Sequence, residues 1–164
     1  MNKQERFSFT ALPQNLTELK ALPSGDLQSP FAVAALTVAA LCQYPKDSKA
    51  SVEMLNFLKG PQPLSPYELQ FLADRFRDKC YVPISYFEGA SPQNNYTPTA
   101  PFSIIVSDNP YSYTQEGYAL LYVQSSGADA PRPIKLRQKG TQWFLWEQHL
   151  LADIRIPKSA DPWA

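Results

Sequence analysis

Four cations, Arg132, Lys135, Arg137 and Lys139, fall within eight residues, and Trp143, Phe144 and Trp146 follow them in "RPIKLRQKGTQWFLWEQ". Guanidinium and ammonium groups beside large rings can hold an anionic ligand, peptide or strand, and stacking rings beside cations are also what a nucleic acid requires. A second set is polar and aromatic. Asn94, Asn95 and Tyr96 in "SPQNNYTPTAP", with Tyr111 and Tyr113 in "NPYSYTQEGY", combine ring area with hydrogen bonding, as recognition loops do. The competing reading makes these tyrosines the cover of a core edge and the asparagines braces for turns. The carboxylates Glu88, Asp108, Glu147 and Asp153 could line a cleft for acid/base work, but their spacing matches no motif, and turn or surface roles account for them.

Several chemistries are excluded by residue supply. His149 is the single histidine, and Cys42 and Cys80 are too far apart for a CxxC knuckle or redox pair, so no metal site is expected. No phosphate loop, GxGxxG turn or GxSxG elbow is present. A Cys80–His149 nucleophile pair could be drawn, but nothing around either residue supports it. No cofactor is expected. Fifteen basic and fifteen acidic residues cancel, which disfavours nucleic acid as a partner. The charge is uneven all the same: Tyr81 to Pro131 holds no Lys or Arg, and the cationic run follows at once.

The elements that must position these side chains divide the chain by pattern. With 164 residues, 44% of them hydrophobic, the chain has enough for one domain with a real core. Its sixteen prolines against six glycines point to stiff connections. A helical part is predicted over about 14–80, a strand and loop part over about 81–156, and an extended tail over 157–164. Ser29-Pro30 is an N-cap and first-turn pair, and the helix behind it is apolar all round, so it should be central. "SVEMLNFLKG" ends at a terminating Gly60, and "LSPYELQFLADRFRDK" opens on a Ser65/Glu68 capping box. A weaker helix is read at Leu16 to Leu22. "FSIIVSD" and "YALLYVQSS" read as strands, and the opening stretch as a hairpin about Gly140.

Turn length sets the faces of that hairpin. A two-residue turn, at Lys139-Gly140 or Gly140-Thr141, puts Ile134 and Leu136 with Trp143 and Leu145, and Lys135 and Arg137 with Phe144 and Trp146. A three-residue turn exchanges the aromatics. The fold class expected is α+β: N-terminal helices packed on a C-terminal antiparallel sheet of about four strands. No membrane span is expected, because "PFAVAALTVAALCQY" falls short of the roughly 20 residues a span needs. No leader pattern is read, and a cytoplasmic location is the default.

The stretches "MLNFLKGPQPLSPYELQFLADRF", "SYFEGASPQNNYTPTAPFSIIVSDNPYSY" and "RPIKLRQKGTQWFLWEQHLLADIRIPKSADPWA" resemble a family of small bacterial proteins and domains of unknown function, mostly from Firmicutes. The resemblance covers nearly the whole chain. It implies a compact bacterial domain and carries no catalytic residues with it.

Two functions are therefore expected. The first is a non-catalytic binding or protein-interaction module that uses Asn94, Asn95, Tyr96, Tyr111, Tyr113, Arg132, Lys135, Arg137 and Trp146. The alternative is a small-molecule-binding protein or enzyme with a pocket between helices and sheet, lined by some of Glu88, Asp108, Glu147 and Arg132.

Overall fold

A computed structural model describes residues 2–164. In chain order its elements are β1 (Gln4–Phe9), α1 (Leu16–Ala21), α2 (Pro30–Cys42), α3 (Ser48–Lys59), α4 (Pro66–Phe76), β2 (Phe102–Ser107), β3 (Tyr118–Val123), β4 (Arg132–Lys139) and β5 (Gln142–Gln148), with short 3-10 turns between them. The fold is α+β, and the five strands form one antiparallel sheet in the order β1-β2-β3-β4-β5.

The centre is α2. The Ser29 hydroxyl accepts from the Ala32 N–H at 3.3 Å, and Pro30 starts the first turn with its φ already set. Every residue from Phe31 to Leu41 is buried, because the helix has no polar face to leave in water. Ala32, Ala34, Ala35, Ala39 and Ala40 keep it slim enough for α3, β2, β4 and β5 to pack on it from several sides. Ser51 of α3 donates to the Ala40 carbonyl at 2.7 Å and fixes the two helices together. The capping box of α4 forms as its sequence requires, with Ser65 and Glu68 satisfying each other's N–H groups at 3.1 Å.

The N-terminal order differs from the expectation. A strand, and not a helix, comes first: β1 pairs with β2 from Gln4↔Ser107 to Phe9↔Phe102. The sheet therefore has five strands, one of them contributed from the far end of the chain. Its sequence, QERFSF, hides the strand, because two of its six residues are charged and only Phe9 is buried. That composition suits an edge strand, where charged residues discourage pairing with other chains.

The Pro-rich stretch after α4 forms neither a long helix nor a strand, as its prolines require, but it closes a break in the sheet. Strands β2 and β3 are in register only at Val106↔Val123 and Ser107↔Tyr122. Where they part, the chain around Ser85–Glu88 fills the gap: the Glu88 N–H donates to Ser103 O at 2.8 Å, and the Ser126 N–H donates to Ser85 O at 3.2 Å. The Tyr86 hydroxyl reaches through to the Leu150 carbonyl, and burial pushes its pKa up. This stretch has no strand of its own, yet it hydrogen-bonds both β2 and the segment that follows β3.

The β4–β5 hairpin turns on Gly140-Thr141, with Lys139↔Gln142 the last pair and Gly140 at φ 64°. That is one of the two-residue turns considered, and it pairs Leu136 with Leu145 on the core side and Arg137 with Phe144 on the other. Among the described residues no helix is long and apolar enough to cross a membrane.

Candidate functional site: a cation–aromatic face

The outer face of β3, β4 and β5 gathers four side chains that alternate with buried ones. Tyr118 stands opposite Arg137 in the β3–β4 ladder, while the adjacent Ala119↔Leu136 pair faces the core. The Arg137 guanidinium lies 4.7 Å from the Trp146 ring centre and 5.4 Å from that of Tyr118. The Lys135 ammonium lies 4.8 Å from the same Tyr118 ring, and the two rings meet edge to face at 5.8 Å. Each exposed cation–π contact contributes roughly 0.5–1 kcal/mol. Their larger effect is to hold two charges in place. Among the described residues neither Lys135 nor Arg137 forms an ion pair with a carboxylate; the six ion pairs involve Lys3, Arg6, Lys59, Arg77, His149 and Arg155.

A β-bulge places Trp146 there. The register shifts between Lys135 and Leu136, so that Lys135 faces Glu147 while Leu136 faces Leu145, and Trp146 is left between ladder pairs. Its carbonyl accepts instead from the Lys59 ammonium at 3.2 Å. Lys59 ends α3, is 7% exposed, and is also paired with Glu68 of α4 at 3.1 Å. Two helices thus grip the bulge through one lysine. Behind Trp146, a groove of about 360 Å³ runs between the hairpin and the α3–α4 loop, bounded by Lys59, Pro61, Gln62, Arg137, Phe144 and Trp146.

Burial pushes the Glu68 carboxyl up, but hydrogen bonds from Ser65 and the Lys59 ammonium outweigh this and hold its pKa below the usual range. A lowered folded-state pKa contributes stability above the unfolded value of about 4.3, and that stability is lost as pH falls through the folded value. Glu68→Gln is therefore expected to be less stable than the wild type at neutral pH, with the difference closing below about pH 4. Urea midpoints across that range measure it. Glu68 is 40% exposed, so salt should shrink the difference as well.

The other expected site residues lie elsewhere. Tyr96 is 3% exposed, stacks on Tyr81 at 5.4 Å, and donates its hydroxyl to the Arg155 carbonyl. Asn94 braces its own loop, accepting from the N–H groups of Ser91 and Thr97 and donating to Gly89 O. Asn95 accepts from the Ser159 N–H at 2.8 Å and so ties the C-terminal segment down. Tyr111 and Tyr113 are exposed on the β2–β3 connection. Partial burial, and donation to Asp108, push the Tyr113 hydroxyl up to about 12. Arg132 donates to the Asp153 carbonyl at 3.0 Å, and its Nε is buried without a partner.

Glu88 borders one concavity and Glu147 a different one. Glu88 pairs with Arg6, Asp108 accepts from the Lys3 N–H, and Glu147 lies by His149. Cys42 and Cys80 are both free, and burial raises the Cys42 pKa, leaving it without thiolate character. Among the described residues no group of three or more His, Cys, Asp or Glu side chains could hold a metal ion.

Of the nine candidate residues, Lys135, Arg137 and Trp146 are thus brought into one cluster. Tyr118 and Lys59 complete it and were missed. Tyr118 had a signal in the alternation of "YALLYV", but only the β3–β4 register shows which cation it meets. Lys59 looks like an ordinary cation in the last turn of a helix.

No curated protein and no solved structure matches the chain. A family model described as a domain of unknown function matches residues 11–158, which is most of the length over which the helices and the sheet are built, and the chain belongs to that family, DUF6935.

Proposed function

We propose that the domain is a non-catalytic protein-interaction module of a bacterial cytoplasmic protein, and that the outer face of β3–β5 receives an acidic, extended segment of a partner. The observation that supports this reading is the pair of cations, Lys135 and Arg137, held against Tyr118 and Trp146 and, among the described residues, in no ion pair. Fixed cations lose little freedom on binding, and half-buried rings supply apolar contact beside them. Nucleic acid fits less well, since the chain carries a formal net charge of +0. The cytoplasmic setting rests on two unbridged cysteines, and the bacterial one on the resemblance of the sequence.

The test is fluorescence anisotropy with a labelled peptide of alternating Glu and Phe, a Lys/Phe peptide as control, and single-stranded oligonucleotide as competitor. The acidic peptide should bind saturably and weaken with salt. Lys135→Glu combined with Arg137→Glu should weaken it by at least about tenfold, or 1.4 kcal/mol. Equal binding by wild type and double variant, or preference for the oligonucleotide, would overturn the proposal.

A further inference from the structure

A second concavity, of about 230 Å³, shares Lys59 and Leu145 with the groove behind Trp146 but opens between α3, α4 and the end of β5. Leu41, Leu55, Phe71, Leu72 and Leu145 make its apolar wall. Four of these are core residues exposed by 4% or less, so the wall is held rigidly from behind. Its polar side is made by Glu68, Glu147, Gln148, His149 and Lys59, and the Lys59 side chain is 6% exposed.

An ammonium has three N–H donors. Glu68 Oε2 takes one at 3.1 Å and the Trp146 carbonyl takes another at 3.2 Å. No third acceptor is present among the described residues, so a buried charged donor borders the concavity with one N–H unmatched. The charge around it selects the acceptor. Glu68 already neutralises Lys59, and Glu147 adds a negative group to the rim, beside His149 at 3.8 Å. An anion would meet two carboxylates, and a cation would give the open N–H nothing to donate to. A neutral oxygen avoids both costs. As for size, a cavity of about 150 Å³ holds benzene, so the space here suits one ring with a short polar arm.

We propose that this concavity is a binding site for a small, neutral, mainly apolar molecule that presents a carbonyl or hydroxyl oxygen to the Lys59 ammonium. The concavity and the outer face meet at Lys59, but the small molecule and the acidic peptide are read out at different residues, so either proposal can fail without the other.

Methyl NMR of the full chain tests it, with acetophenone, ethylbenzene and benzoate as probes. Acetophenone should shift the Leu41, Leu72 and Leu145 methyl signals saturably and bind roughly tenfold more tightly than ethylbenzene, which lacks the oxygen. Benzoate should bind more weakly than acetophenone. Lys59→Met should make acetophenone and ethylbenzene equal. Should that variant not fold, Leu64→Trp, which fills the concavity from the α3–α4 loop, should abolish the shifts from both. The proposal is overturned if acetophenone gives no saturable shift at these methyls, if ethylbenzene matches it in the wild type, if benzoate binds most tightly, or if either folded variant binds as the wild type does.

Discussion

Leu36→Ala is expected to lower the unfolding free energy by about 3–5 kcal/mol, among the largest effects of any single truncation in this chain. Leu36 lies at the middle of α2 and is 0% exposed, with Val33, Ala35, Val38 and Ala40 around it on the helix equally closed to water. Removing its branched end forfeits the transfer energy of the lost carbons, and what the site recovers depends on whether its surroundings can collapse. Here they cannot do so easily. Several of the neighbouring positions on α2 are already alanines, and the helix is hemmed in by α3 and by three strands of the sheet, so any inward movement must drag a packed element with it. Urea denaturation decides the point: the midpoint should fall and the slope should not. A loss under about 1 kcal/mol would mean that the centre of the molecule is looser than its burial implies.

The second large effect is expected at Gly60, where α3 stops. Its backbone sits at φ 67°, ψ −125°, a region open in practice to glycine alone. There is also no room: a Cβ there would lie 2.4 Å from Cδ1 of Phe144. Gly60→Ala should therefore cost about 2–4 kcal/mol, from backbone strain of about 1–3 kcal/mol plus displacement of the ring. The two parts can be separated. Phe144→Ala alone loses packing, but in the double variant the alanine at position 60 no longer meets a ring, and only the backbone part should remain. Unfolding measured on all four proteins should show the double variant more stable than the sum of the singles predicts, by roughly 1 kcal/mol or more. Strict additivity would place Phe144 out of contact with the helix end.

These two sites show how unevenly the fold can be read from its residues. The centre was legible: a Ser-Pro start and an apolar surface all round leave α2 nowhere to go but inside. The hairpin was legible as a hairpin about Gly140, but which rings meet the cations stayed open between a two-residue and a three-residue turn, and the Gly140-Thr141 turn decides it. What escaped depends on partners distant in sequence. The pairing of β1 has no local signature, since its apolar positions are only Phe7 and Phe9. The gap between β2 and β3 is filled by Ser85–Glu88, whose composition says only that it is neither helix nor strand. Tyr96 looked like a recognition residue because tyrosine in an Asn-rich loop usually stands in water. Its burial follows from the approach of Tyr81 and Arg155, which no local pattern predicts. The bulge at Trp146 was invisible for the same reason: Lys59, from a helix that ends more than eighty residues earlier, receives the carbonyl that the ladder gives up.

The sheet's outermost strand also has a history during synthesis. β1 is made before α1 to α4, yet Ser8 and the residue it faces, Ser103, are 95 positions apart. Translation at roughly 5–20 residues per second leaves β1 without its partner for seconds or more after it leaves the ribosome. Throughout that interval it is an unpaired strand next to many copies of itself on a shared message. Lys3, Glu5 and Arg6 carry the kind of charge that discourages an unpaired strand from joining another chain in that interval. The poor strand pattern that conceals β1 in the sequence also suits a strand that is made well before its partner.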